Sequence, residues 1–198
     1  MVGGQDDETQ EAFRSRLLIA IRAHSIGSQE DRYEVAALSV PGVTRVFVEP
    51  RQPSIGAVTI RFMMDEVRLP DGLPLGDGGV IPLLQGVGDQ LLVENAIIAA
   101  KIRPPAATVD IYAPVGKTVD IEITNLTPDT PDVRAAVELE IKDFFRRSTK
   151  PGGTLEPSNL SAAISSVSLE NSHQLTQPAV PVTSLPGELL LPGVPTYV

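Results

Sequence analysis

One helical pattern occurs twice in this chain. Phe13, Leu17 and Ile21 mark one face of a first helix, and Val133, Val137 and Ile141 mark the same face of a second. Residues four apart lie one above another on a helix, so each set forms an apolar stripe. Each copy then passes through a polar stretch into a shorter helix, AALSV at Ala36–Val40 and AAISS at Ala162–Ser166, and on into a strand. Such a repeat constrains architecture before chemistry. It calls for two related halves in which helices pack on strands, and read as spacing and residue type it names no reaction.

The chain of 198 residues is 42% hydrophobic, enough to bury a sizeable core. Aromatic residues make up 4% and tryptophan is absent, so that core must be built from Val, Ile, Leu and Ala, which suits short strands and slender helices. A formal charge of −9 repels phosphate backbones and argues against nucleic-acid binding. The absence of cysteine removes disulfides, thiolate nucleophiles and Cys-based zinc sites, and fits folding in a reducing compartment such as the cytoplasm. No stretch approaches the ~18 consecutive apolar residues of a membrane span, and the acidic N-terminus is unlike a signal peptide. The abrupt lead from Met1 into a helix also suits a piece cut from a longer chain.

Asp6, Asp7, Glu8 and Thr9 precede a helix that runs to about His24, and Ser28 is placed to cap the next one, which stops before Pro41 and Gly42. VTRVFVEP and AVTIRFMM alternate with period two, with Val46, Val48, Val58, Ile60 and Phe62 on the buried face, and read as an antiparallel hairpin. After an irregular Pro/Gly stretch from Leu69 to Gly88, DQLLVENAIIAAKI reads as an apolar helix ended by Pro104 and Pro105. TVDIYAP and KTVDIEIT read as a second hairpin turning at Val115 and Gly116, with Val109, Ile111, Val119, Ile121 and Ile123 inside. Thr130 caps a long helix with Pro131 at its first position and an apolar stripe of Val133, Val137, Ile141, Phe144 and Phe145. PGGTLEPS leads to the last short helix, and from Gln177 the chain is Pro-rich and extended, suited to lying along a sheet edge or another subunit. The fold class is therefore α+β: two related halves, each with antiparallel hairpin strands packed by helices, over residues 1–104 and 105–198.

Chemistry is sparse. His24 sits at a helix end and His173 in a polar loop, neither with a partner at metal-ligand spacing, so no metal site is assigned and a Ser-His-Asp hydrolase is disfavoured. GDGG at Gly76–Gly79 lacks the Lys-Ser/Thr ending of a phosphate cradle and reads as a flexible loop. Asp110, Asp120 and Glu122 line the outer face of the second hairpin, where alternation alone predicts a solvated carboxylate row. They are the last route to catalysis, of the two-carboxylate glycosidase kind. Asn125-Leu126-Thr127 and Asn159-Leu160-Ser161 match the glycosylation triplet without a secretory signal. No catalytic residue and no cofactor is assigned.

ETQEAFRSRLL, the segment ALSVPGVTRVFVEP, VTIRFM, IRPPAATVDIYAP, VDIEIT, PGGTL and the terminal GEL occur in that order from about Glu8 to Tyr197. In this order the chain resembles the C-terminal two thirds of the baseplate J-like family, the wedge proteins of contractile-tailed phages such as Mu and of related bacteriocins. VPGVTRVFV, with Pro41, Gly42 and Val43, and the stretch from Arg103 to Pro114 are its most specific segments. The resemblance implies a non-enzymatic structural subunit of the baseplate wedge, with other copies of itself and neighbouring wedge proteins as partners. It implies an oligomer in a virion assembled in the host cytoplasm. It also implies an N-terminal portion that this sequence lacks. The alternative is a carbohydrate-binding or carbohydrate-processing tail module using Asp110, Asp120 and Glu122.

Overall fold

The computed structural model describes residues 29–198. The helix expected up to His24, with Phe13, Leu17 and Ile21, the acidic residues before it, and the cap at Ser28 lie outside the described residues. The chain divides into two compact units whose boundary in sequence falls between Ala113 and Pro114, and the architecture is α+β.

The first unit begins with α1 (Gln29–Leu38), whose Tyr33, Ala36 and Ala37 are buried. Pro41 and Gly42 turn the chain into β1 (Arg45–Pro50): the Val43 amide donates to the Val40 carbonyl at 3.2 Å, and Gly42 takes φ +90°, open to glycine because it has no Cβ. β1 pairs antiparallel with β2 (Ala57–Met63), Arg45 opposite Met63 and Pro50 opposite Val58, as the alternation predicts. Beyond a loop come β3 (Gly79–Ile81), α2 (Asp89–Ala100) and β4 (Thr108–Tyr112). The sheet order is β1-β2-β4-β3, with β4 parallel to β2 and antiparallel to β3. Ile60, Phe62, Val109 and Ile111 share one sheet face, and Tyr33 and Ala37 of α1 and Val93 and Ile97 of α2 close the core over it. α2 ends earlier than Pro104 and Pro105 would require, because Lys101 adopts a left-handed conformation (φ 53°) and donates its amide to the Ile98 carbonyl.

The second unit holds β5 (Val115–Val119), β6 (Glu122–Thr127), α3 (Pro131–Ser148), β7 (Thr154–Leu155) and α4 (Pro157–Ser165), then β8 (Ser172–Gln177), β9 (Val182–Thr183), β10 (Glu188–Pro192) and β11 (Thr196–Tyr197). The expected hairpin of TVDIYAP with KTVDIEIT does not form. β4 lies between β2 and β3, whereas β5 pairs in parallel with β10, Val115 opposite Glu188. A tight hairpin turn favours Asn-Gly, Asp-Gly or a leading Gly. Ala113 and Pro114 occupy the junction instead, and proline fixes its own φ and disfavours a turn conformation in the residue before it. The Pro-rich tail is laid along strands of its own unit: β11 pairs in parallel with β6, and β8 takes β6's other edge antiparallel.

α3 carries the core of this unit. The Thr130 hydroxyl accepts the Val133 amide, Pro131 opens the helix, and Val133, Val137, Ile141, Phe144 and Phe145 are all buried. The two phenyl rings stand edge-on, 6.0 Å apart at 84°, and pack with Ile121, Ile123, Leu160, Ile164 and Leu190. A buried branched side chain cut to alanine loses its transfer energy and leaves a cavity. Ile141→Ala is therefore expected to cost about 2–5 kcal/mol in denaturant unfolding. Leu139→Ala, on the exposed side of the same helix, is expected to stay within about 0.5 kcal/mol of the parent.

Candidate assembly surface

α2 is turned in an unusual way. Its inner face buries Asp89, Gln90 and Glu94 together with Val93 and Ile97, while Leu92 and Ile98 are 50% and 52% exposed. The loop that precedes the helix supplies partners for both carboxylates and for the Gln90 amide nitrogen, while Gln90 Oε1 is buried with none among the described residues. Arg68 grips Asp89 with two parallel bonds of 2.7 and 2.6 Å, and the Leu75 amide donates to the same carboxylate at 2.8 Å. Gln90 donates to the Gly76 carbonyl at 3.3 Å, and the Gly86 amide donates to Glu94 at 2.7 Å. Asp89 also lies in the first helical turn, where the exposed amides favour a negative charge. The Arg68 guanidinium, opposed in part by burial and helped by the Leu75 amide, holds the Asp89 carboxyl below its ordinary range.

The glycine run expected to be a flexible loop is instead tightly packed. Gly79 opens β3, and a Cβ at Gly78 would strike the Tyr112 ring at 2.0 Å. A Cβ at Gly76, where φ is +116°, would meet the Val87 carbonyl oxygen at 2.0 Å. These glycines serve close backbone approach and not phosphate binding. Clamped from behind, the loop presents Leu75, Leu83, Leu84 and Val87 outward on the same unit as Leu92 and Ile98. Contiguous exposed apolar patches mark association surfaces, and these side chains are the candidates for one on this unit.

The second unit contains an arrangement that sequence reasoning missed. His173 is not in a loop but on β8, with its side chain 3% exposed; Ser161 Oγ lies 3.0 Å from its Nε2 and Glu170 Oε1 lies 2.9 Å from its Nδ1. The order Ser, His, Glu is that of a relay triad. Acyl transfer also needs donors aimed at the developing oxyanion, and Ser161 lies inside α4, where backbone amides are committed to the helix ladder. The cluster acts as a buried polar strut tying α4 to β8. No motif announces it, since the three residues meet only through the fold.

The carboxylates weighed for carbohydrate chemistry are separated by the strand pairing. Asp110 is on β4, paired across to Thr59 and Val80, and is 6% exposed, and burial raises its carboxyl above the ordinary range. Asp120 is exposed between β5 and β6, and Glu122 on β6 accepts the Thr176 hydroxyl at 2.9 Å. The shared hairpin face on which that reading rested does not exist. Leu126 and Leu160, in the middle of the two glycosylation-like triplets, are buried. Among the described residues no group of three or more His, Asp or Glu is placed to hold a metal ion, and no helix is long and apolar enough to cross a membrane.

Two α+β units whose buried polar groups serve the framework, with apolar side chains held outward, define a scaffold protein that works by association. The chain belongs to the baseplate J-like family: it matches the Baseplate J-like central domain over residues 25–136 and the Baseplate J-like protein C-terminal domain over residues 119–193. It is 33% identical over 199 residues to the protein JayE of Escherichia coli (strain K12), covering 98% of this chain and 68% of that one. It is 27% identical over 191 residues to the baseplate protein gp47 of Escherichia phage Mu, covering 96% of this chain and 51% of that one. The chain thus spans about two thirds of one relative and half of the other, and it is a structural protein of the phage-baseplate type.

The two buried aspartates make opposite contributions to acid stability. The folded-state pKa of Asp89 is depressed, so its contribution is present above the ordinary carboxylate value of about 3.9 and is lost as pH falls through the lower folded value. That of Asp110 is raised, so the penalty of its buried charge is full at neutral pH and disappears as pH falls through the raised value. Asp110→Asn is expected to stabilise the protein at pH 7 and lose that advantage near pH 4. Asp89→Asn is expected to destabilise it at pH 7 and to converge with the parent in stronger acid. Urea unfolding across this range checks both.

Proposed function

We propose that the chain is a structural subunit of the baseplate wedge of a contractile tail, phage or bacteriocin, and that it acts by shape-specific association without catalysing a reaction. The observation that carries this reading is the run of two consecutive baseplate J-like domains from residue 25 to residue 193. The rigidly backed apolar surface of the first unit supports it, because such a surface is stabilised when another protein removes it from water. The partners on this reading are neighbouring wedge proteins and other copies of the chain. Assembly takes place in the host cytoplasm, and the finished subunit resides in the tail baseplate of the virion.

Removing the gene from its producing strain should abolish contractile tails with intact baseplates in electron micrographs, and the wild-type gene supplied in trans should restore them. Normal baseplates without the gene would rule the reading out. As a companion measurement, the purified chain mixed with the products of neighbouring tail genes is expected to shift to a larger mass by light scattering.

A further inference from the structure

The outer face of α2 is organised about a single residue. Asn95 is exposed and has no side-chain partner among the described residues. Leu92 stands three positions before it and Ile98 three positions after, both half exposed, with Leu91 and Ala99 four positions to either side. Positions three and four apart share a helix face, so the stripe reads the same from either end. Its two ends carry opposite charge. Asp77 is exposed beside the N-terminal end, where its carbonyl accepts the Val87 amide at 2.9 Å, and Lys101 is exposed at the C-terminal end. On the flank of this face, between it and the buried side of the helix, Ile98 borders a recess of about 410 Å³ whose other walls are Ile81, Pro82, Glu94, Ile97, Lys101 and Arg103.

We propose that this face is a twofold contact with a second copy of the chain, in which the two α2 helices cross antiparallel with the axis at Asn95. The proposal rests on the assembly reading above and names one of its surfaces. In an isologous contact each residue meets its symmetry mate's partner. Leu92 then packs on Ile98 of the second copy, and Ile98 receives Leu92 in return. The Asn95 amides face each other at the axis, where each Nδ2–H donates to the other's Oδ1. A single polar residue within an apolar seam fixes register in this manner. Two copies each carrying a formal charge of −9 repel one another in general. The antiparallel crossing offsets this locally by bringing Asp77 of each copy toward Lys101 of the other. A parallel crossing would set like charges together. The Asp89 clamp behind the helix keeps the stripe in place before the second copy arrives, so little ordering accompanies association.

The cysteine-free sequence allows a direct test. A disulfide forms only when the two Cα atoms come within about 7 Å, a condition met near the axis and not elsewhere on the face. The full chain carrying Asn95→Cys is expected to convert to a covalent dimer under mild oxidation, whereas Leu139→Cys, exposed on α3, stays monomeric under the same conditions. In sedimentation runs over a concentration series, Lys101→Asp should weaken dimerisation about tenfold, and adding Asp77→Lys to that variant should restore most of it. Leu92→Asp should give a monomer with an unchanged circular dichroism spectrum, since the side chain is already solvent-facing. A parent chain that stays monomeric throughout the series overturns the proposal, as does an Asn95→Cys chain that fails to cross-link. Binding of this face to a different protein with no self-association overturns it as well. None of these failures touches the wedge reading, which fails only if baseplates form without the gene.

Discussion

The first unit depends on the carboxylate of Asp89. It takes two bonds from Arg68 and one from the Leu75 amide while sitting in the first turn of α2. A carboxylate buried without such partners would cost several kcal/mol. With them, it fixes the rotation of the helix about its own axis. Asp89, Gln90 and Glu94 must face the loop, and Val93 and Ile97 must face the sheet, so the remaining apolar positions Leu92 and Ile98 have only solvent or a partner left. The glycines of the loop are the other half of this constraint. Side chains at positions 76 and 88 would run into backbone carbonyl oxygens across the loop, at Val87 and Leu75.

The second unit is organised by its tail. β5 and β6 each receive a parallel partner from the last residues of the chain, β10 and β11. Parallel pairs cannot be joined by tight turns, so the long connection between them must carry the helices that cover the core, and α3 and α4 do so. Leu189, Leu190 and Leu191 are buried as a result. The prolines that punctuate the tail do not continue into these pairings beyond their ends: Pro192 closes β10, and Pro195 precedes β11.

What the sequence makes legible is local. Thr130 and Pro131 announce the start of α3, the stripe from Val133 to Phe145 announces its buried face, and Pro41 with Gly42 announces the turn into β1, because each signal lies within a few residues of its effect. What is hidden is non-local. Alternation identifies TVDIY as a strand but not that its neighbours are β2 and β3. The three-residue β3 is too short to show a period. Ser161, Glu170 and His173 come together only because β8 returns beside α4. Asp110 illustrates the same limit: alternation places it opposite Val109 and Ile111 and so predicts solvent, but a central strand with neighbours on both edges leaves it 6% exposed.

α2 is the element in which local and non-local information disagree most usefully. Its sequence is apolar almost all round, a composition that belongs to a helix enclosed on every side. A unit as small as residues 1–113 has little interior in which to enclose one, since the buried fraction of a chain falls with its size. The fold resolves the conflict by turning Asp89, Gln90 and Glu94 inward, where the loop supplies donors for the two carboxylates and a carbonyl acceptor for the Gln90 amide. The apolar surplus is thereby moved outward onto a face that the clamp holds in place. An isolated protein gains nothing from that arrangement, because the same burial could be reached with polar residues at positions 92 and 98 and less apolar surface left in water. A subunit whose role is to be covered by a neighbour does gain from it, and this is why the composition of one helix agrees with the family to which the whole chain belongs.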